Sequence, residues 1–191
     1  MAPAYVPGLQ LAREFYAGAV RPLIEEQFPG LSYAAALLGP GSEVLGFDSQ
    51  RSTDHDWGPR LQVFPSDGDA VRHAAAITAM RASRLPASFR GYPVAFPVTR
   101  ELAGTPRHHV EVVGLGAWLT GQLGFDPRLA VMPRDWLATP AQRLAEFTAG
   151  AVFRDQPGEL TRLPGPAIRL PRQRPPASSG TASATGTRRS S

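Results

Sequence analysis

Leu11, Phe15, Val20, Leu23 and Ile24 recur at roughly helical spacing and predict a helix from Leu9 to Phe28. Pro22 lies inside this stretch and should split or kink it, because proline has no N–H and its ring clashes with the preceding turn. Pro29-Gly30 stops it. Leu31 to Leu38 is a short apolar run ending in Gly39-Pro40-Gly41. Its length and flanks predict a buried strand, against the preference of its three alanines. Residues 43–53 are polar and turn-rich, and Asp54 to Phe64 reads as a second strand. Ser66 and Asp69 have the spacing of a capping box, opening a helix that carries Ala75, Ile77, Ala79 and Met80 and runs to about Arg84. Leu85-Pro86 ends it. Tyr92 to Val98 reads as a strand that Pro93 and Pro97 confine to a sheet edge. His109 to Val113 is a valine-rich strand, and Ala117 to Leu123 a short helix. Thr139-Pro140-Ala141-Gln142 reads as a Thr cap, a proline at the first helical position and a glutamine three residues after the cap. The helix it opens carries Leu144, Phe147 and Val152 and ends near Asp155. No internal repeat is visible. The expected fold is an α/β (α+β) mixture: a small mixed sheet flanked by helices.

From Pro164 the pattern stops. Residues 164–191 are rich in Pro, Ser, Thr, Gly, Ala and Arg, with almost nothing to bury, so disorder is expected there. The chain therefore divides into a folded part, 1–163, and a tail, 164–191. The first is long enough for one real core. Charge follows the same division. All 20 basic residues are arginine; 15 of them, with all 16 acids, lie in residues 1–163, and the remaining five lie in the tail with no acid. The sequence pI of about 10.3 thus belongs to the tail. Nucleic-acid recognition usually needs a basic stripe on a folded face, so a nucleic-acid partner is not expected. Weak contact through Arg188-Arg189 ranks below a solvated tail. There is no cysteine, which excludes a disulfide framework and thiolate metal sites and suits a reducing compartment. The N-terminus lacks the charged start and apolar run of a signal peptide, and no stretch has the length to span a bilayer. A cytoplasmic setting without a membrane partner is expected.

The candidate chemistry lies at Asp54-His55-Asp56. On a strand, side chains two apart share a face, so the two carboxylates would stand side by side. They repel unless a cation sits between them, and Mg²⁺ prefers carboxylates together with substrate phosphates. Glu111, inside Val110-Glu111-Val112, joins them if its strand pairs beside the first. Three such carboxylates can hold two metals about 4 Å apart for in-line phosphoryl chemistry. Upstream, Gly39 and Gly41 allow close backbone approach to a ligand. A short helix starting at Ser42 or Glu43 would offer free N–H groups to a phosphate. Ser42 and Ser52 add hydroxyls, and Arg51 a compensating charge.

Asp-x-Asp alone is a weak signal, for which solvated carboxylates are the commoner explanation. The combination is more specific: an apolar strand into Gly41-Ser42, eleven intervening residues, Asp54-His55-Asp56, then Glu111 within a later strand. This pattern resembles the nucleotidyltransferase superfamily typified by DNA polymerase beta and the aminoglycoside nucleotidyltransferases. The resemblance implies that Asp54, Asp56 and Glu111 bind Mg²⁺, two ions in all, and that Gly41 and Ser42 contact nucleotide phosphates. A closer resemblance rests on 34–48, on 52–60, on Phe89-Arg90-Gly91-Tyr92-Pro93 and on Leu123-Gly124-Phe125-Asp126-Pro127. Asp135-Trp136-Leu137, Glu146-Phe147-Thr148-Ala149-Gly150 and Val152-Phe153-Arg154-Asp155 extend it. Over residues 9–163 these stretches are similar to the bacterial family called domain of unknown function 4037. That family implies a nucleotidyltransferase-like fold and no known substrate. Its members continue into a helical C-terminal part, so a chain whose match stops near Leu163 is expected to be truncated, its tail the product of a frameshift or truncation.

Three functions follow as expectations. The first is Mg-dependent transfer of a nucleoside monophosphate from a nucleoside triphosphate to an unidentified acceptor hydroxyl. The alternative is a catalytically impaired nucleotide-binding or regulatory module on the same fold, and the third an arginine-tail nucleic-acid binder. His55 is read as a packed, hydrogen-bonded histidine and His108-His109 as the polar start of a strand. Trp57 is expected to pack beside the site, and Trp118 and Trp136 to anchor the core or an interface. Asp48 and Arg60 are read as solvated surface residues, with substrate contact as the alternative.

Overall fold

The first apolar stripe folds into two α-helices, α1 (Gly8–Phe15) and α2 (Arg21–Gln27), joined by one π-helical turn over Tyr16–Val20. The wide turn sits directly ahead of Pro22. Without an N–H, Pro22 cannot donate to residue 18, and the π turn absorbs that missing bond while the helical direction continues. The computed structural model describes residues 4–54, 57–96 and 107–163, with backbone alone at 53, 54, 96, 107 and 108. His55 and Asp56, the Val98 end of the expected edge strand, and the tail from residue 164 lie outside the described residues.

Strand β1 (Tyr33–Leu37) is buried throughout, as its apolar run predicts. Strand β2 (Leu61–Pro65) is equally buried but starts seven residues later than expected. Gln50–Asp54 forms a 3₁₀ turn instead. Pro59 has no N–H to give to a ladder, so pairing begins only after it. Helix α3 (Asp67–Arg84) has the expected limits, and the Ser66 hydroxyl accepts from the Asp69 N–H at 3.1 Å. The expected strand at 92–98 is broken into short pieces. β3 (Ser88–Phe89) and β4 (Tyr92–Pro93) form a hairpin through Arg90 and Gly91, both at positive φ as a tight primed turn demands. β5 (Ala95–Phe96) pairs with β6 (Arg107–His108). Then come β7 (Val110–Val112), α4 (Leu115–Leu123), α5 (Pro133–Ala138), α6 (Ala141–Thr148) and β8 (Ala151–Asp155).

The C-terminal reading needs two corrections. The helix expected to reach Asp155 ends at Thr148, and residues 151–155 pair with β1 as a strand. Val152 and Phe153 point to opposite faces of the sheet, so the run has period two rather than helical period. Thr139 does not cap α6. Its hydroxyl donates back to the Asp135 carbonyl at 2.9 Å, closing α5, and Pro140 takes the N-cap position without a side-chain bond.

Four strands form the main sheet in the order β7-β2-β1-β8. β1 pairs antiparallel with β2 and β8, while β2 pairs parallel with β7, so the sheet is mixed. One face carries Ala35, Val63 and Val110 against Phe15, Tyr16 and Ile24 of the N-terminal helices and Ile77 and Met80 of α3. The other carries Ala34, Ala36 and Phe64 against Leu115, Trp118 and Leu119 of α4 and Phe147 of α6. The alanines of β1 thus serve a three-layer packing: small side chains in the central strand make room for aromatic ones from both helical layers. No helix among the described residues is long and apolar enough to cross a membrane.

One arginine ties the outer segments together. Arg128 donates to Asp126 (2.8 and 3.1 Å), to Glu159, and to Asp67 at the start of α3 (3.3 Å).

Candidate active site

The ladder brings the end of β1, the start of β2 and the start of β7 to one end of the sheet. Gln62 stands opposite Ala36 on one side and opposite Glu111 on the other. Where strand pairing runs out at Leu38, the buried Gln62 amide replaces it. Its oxygen accepts from the Leu38 N–H at 3.0 Å and its nitrogen donates to the Leu38 carbonyl at 3.2 Å. This fixes the exit of β1 into Gly39-Pro40-Gly41-Ser42. A lone polar residue in the apolar run Leu61-Gln62-Val63-Phe64 was the sequence signal for that role.

The expected helix at Ser42 is instead a set of turns over 42–46, with Val44 and Leu45 bonding back to the Gly41 carbonyl and Phe47 to the Ser42 carbonyl. The N–H groups of Gly41, Ser42 and Glu43 bond to no backbone carbonyl among the described residues. Ser42 is exposed. Gly41 has φ +153°, and a Cβ there would overlap the Arg60 guanidinium and crowd the Glu43 carboxylate. Only glycine fits.

Arg60 is not the solvated residue expected. Its Nε donates to Glu43 and its Nη2 to the Pro40 carbonyl. The two side chains are only 26% and 11% exposed, as shielded as the Arg128–Asp126 pair and unlike the open Arg21–Glu25 and Arg84–Glu26 pairs. Glu43 in turn packs against Gly8 and Trp57, where even a methyl group on Gly8 would collide with it. Trp57 is buried with Leu11 and Tyr92, the packing role expected of it, and its indole N–H has no acceptor among the described residues.

Asp48 is not solvated either. One carboxylate oxygen accepts from the Gly8 N–H (2.7 Å) and the Tyr5 hydroxyl (2.9 Å), capping α1 from forty residues away. Desolvation first, and the Asp48 bond second, push the Tyr5 phenol up to about 12. Pro7, the residue at the N-cap of α1, makes no side-chain cap of its own. Asp48→Ala should therefore cost about 1–2 kcal/mol. The check is a melting curve with amide exchange at Gly8 to Leu11. Unchanged protection would contradict the capping role.

Glu111 lies on β7, beside β2 as expected, and shares a face with Gln62, Phe64 and α4. It is open to solvent on the outer side of the strand, yet desolvation by the surrounding protein raises its carboxyl above the ordinary value. Attraction to Arg81, a hydrogen bond from Trp118 and attraction to Arg60 act in the other direction. Burial lowers the Arg81 guanidinium, opposed by Glu111, and its Nη1 donates to the Val110 carbonyl. Trp118 fills the core against Phe64 (ring centroids 5.4 Å, 67°) and edges onto Gly39. Its sequence context carried only the packing signal. Trp136 meets Phe125 edge-on at 5.1 Å.

The remaining expected residues fall as follows. Arg51 is exposed, and Ser52 closes the 3₁₀ turn by accepting from the Ser49 N–H at 3.0 Å. Asp54 ends that turn rather than opening a strand. The Asp54 side chain and all of Asp56 lie outside the described residues. The His109 N–H bonds to Val94 and its carbonyl accepts from Leu61, the strand-opening position expected. Among the described residues no group of three His, Cys, Asp or Glu is placed to hold a metal. Of the three carboxylates expected to hold Mg²⁺, Glu111 is the one whose side chain is among the described residues.

Fold and site together define a mixed α/β protein with a glycine turn, an arginine and a carboxylate gathered at one sheet end. Comparisons with protein-family models, with curated proteins and with solved structures gave no match.

Proposed function

We propose that the chain is a nucleotidyltransferase-like domain that binds a nucleoside triphosphate and transfers its nucleoside monophosphate to an acceptor hydroxyl. One observation carries the reading. The turn after β1, with three successive N–H groups that meet no backbone acceptor among the described residues, stands at the same sheet end as Glu111 through the β1–β2–β7 pairing. Consecutive amides on a glycine turn are a phosphate-binding device. Gly41 and Ser42 hold the phosphates in this reading, with Arg51 and Ser52 at the rim. Glu111, with Asp54 and Asp56, would hold Mg²⁺, one or two ions, which supplies charge neutralisation on the phosphoryl oxygens. Glu111, or another metal-bound base, accepts the proton of the acceptor hydroxyl. The acceptor oxygen bonds to the α-phosphorus, the bond to the β-phosphate breaks, and pyrophosphate leaves.

The test uses the full chain, Mg²⁺ and radiolabelled nucleoside triphosphates with a panel of hydroxyl acceptors. Label should pass to an acceptor, and Glu111→Gln should slow transfer by about a hundredfold or more while the melting temperature stays close to wild type. Nucleotide binding should also raise the melting temperature. Binding without transfer would leave a nucleotide-binding module. Equal Mg-nucleotide affinity in wild type and in an Asp54→Ala, Asp56→Ala chain would sink the reading.

A further inference from the structure

We infer that the Glu43 carboxylate is a built-in stand-in for a substrate phosphate, and that Arg60 is a positioning residue that exchanges the one for the other. The inference rests on the nucleotide-binding reading and names how that site is gated.

Four observations converge on it. The Arg60 guanidinium lies against Gly41, in the space that a side chain on this residue would enter. Its guanidinium grips the Pro40 carbonyl and Glu43, so it is bonded to the glycine turn on two sides. A Glu43 carboxylate oxygen lies 2.6 Å from where a Gly41 Cβ would be, at the turn whose N–H groups meet no backbone acceptor among the described residues. The same arginine lies close enough to Glu111 to act on its charge. A planar guanidinium binds carboxylate and phosphate through the same fork, and it stays charged throughout the accessible pH range. A carboxylate held at a glycine turn by an arginine is therefore an anion that the chain supplies to this turn itself. The stem of Glu43 lies against Gly8, where an added methyl group would collide with it.

An arginine with a purely structural role and one that serves a phosphate respond oppositely to loss of the Glu43 charge. If the pair only braces the fold, Glu43→Gln weakens the turn and with it any anion binding. If Glu43 competes with phosphate, Glu43→Gln frees Arg60 and binding tightens.

The experiment is calorimetric titration of the full chain with inorganic tripolyphosphate and, separately, with Mg-ATP. Glu43→Gln should bind tripolyphosphate about fivefold to tenfold more tightly than wild type, and Arg60→Gln about tenfold less tightly. The double variant should match Arg60→Gln, and Arg60→Lys should recover part of the loss. Melting curves identify any variant that fails to fold, in which case Arg60→Lys and Glu43→Gln alone decide the question. Equal or weaker binding by Glu43→Gln overturns the inference, as does absence of tripolyphosphate binding in both wild type and Glu43→Gln. Tripolyphosphate binding with the expected order, but no Mg-ATP binding and no transfer, would preserve the anion exchange and remove the nucleotidyltransferase reading.

Discussion

Gly150→Ala should unfold about 6–12 °C below wild type, a loss of about 3 kcal/mol. Gly150 links α6 to β8, and its Cα rests on the end of β1. A Cβ there would overlap the Leu37 carbonyl oxygen and press on the Leu38 side chain. The first obstacle is backbone inside a strand paired on both sides, so it cannot move aside as a flexible side chain would. Either β8 shifts away from β1 or the α6–β8 connection bends, and both give up contacts of Val152 and Phe147 in the core. Gly121, in the middle of α4, is the control. Nothing lies within 4 Å of a Cβ there, and the position is exposed. Gly121→Ala should stabilise by up to about 1 kcal/mol, since alanine loses less backbone freedom on entering a helix. Thermal or denaturant melts of the two variants test the pair. Gly150→Ala melting at the wild-type temperature would refute the close approach.

The second large effect is expected at Arg128. Replacing it with Met leaves Asp126, Glu159 and Asp67 facing one another without their shared cation. Asp126 is only 10% exposed in its side chain and Arg128 24%, so solvent compensates poorly. A loss of about 3 kcal/mol at neutral pH is expected. The pH dependence identifies the cause. Hydrogen bonding from Arg128 holds the Asp126 carboxyl below its ordinary value, opposed by desolvation. A group lowered on folding contributes stability above its unfolded pKa, about 3.9 for Asp, and loses it as pH falls through the folded pKa. Wild type should therefore lose this contribution only below about pH 4. In Arg128→Met the carboxylates repel at neutral pH and are relieved as they protonate. The gap between the two proteins should be widest near pH 7 and narrow toward pH 3. Denaturant melts across that range measure it; a constant gap would mean that packing of the arginine stem, not charge, is what the variant loses.

Local chemistry made much of this chain legible from its sequence. Ser66 with Asp69 set the start of α3, Leu85-Pro86 set its end, and both hold in three dimensions because capping and proline geometry act within one turn. The run Leu31 to Leu38 between Pro29-Gly30 and Gly39-Pro40 was readable as β1 for the same reason. Pro22 foretold an interruption, though not that a π turn would carry the helix through it. The site was legible only in part. Gly41-Ser42 and Glu111 stand at one sheet end, while Asp54 ends a 3₁₀ turn instead of opening a strand.

What the sequence determined alone is what depends on neighbours within a few residues: caps, breakers, the apolar stripe of the first helix and the alternation of the β7 valines. The tertiary structure decided whatever needs a partner far along the chain. Residues 151–155 became a strand because β1 offered an open edge. Asp48 became a cap only when its loop returned to Gly8. Arg60 and Glu43 are seventeen residues apart, and no local pattern pairs them. Antiparallel pairing of β1 with β2 sets the glycine turn beside Arg60, and that placement is what makes the ion pair a candidate part of the site.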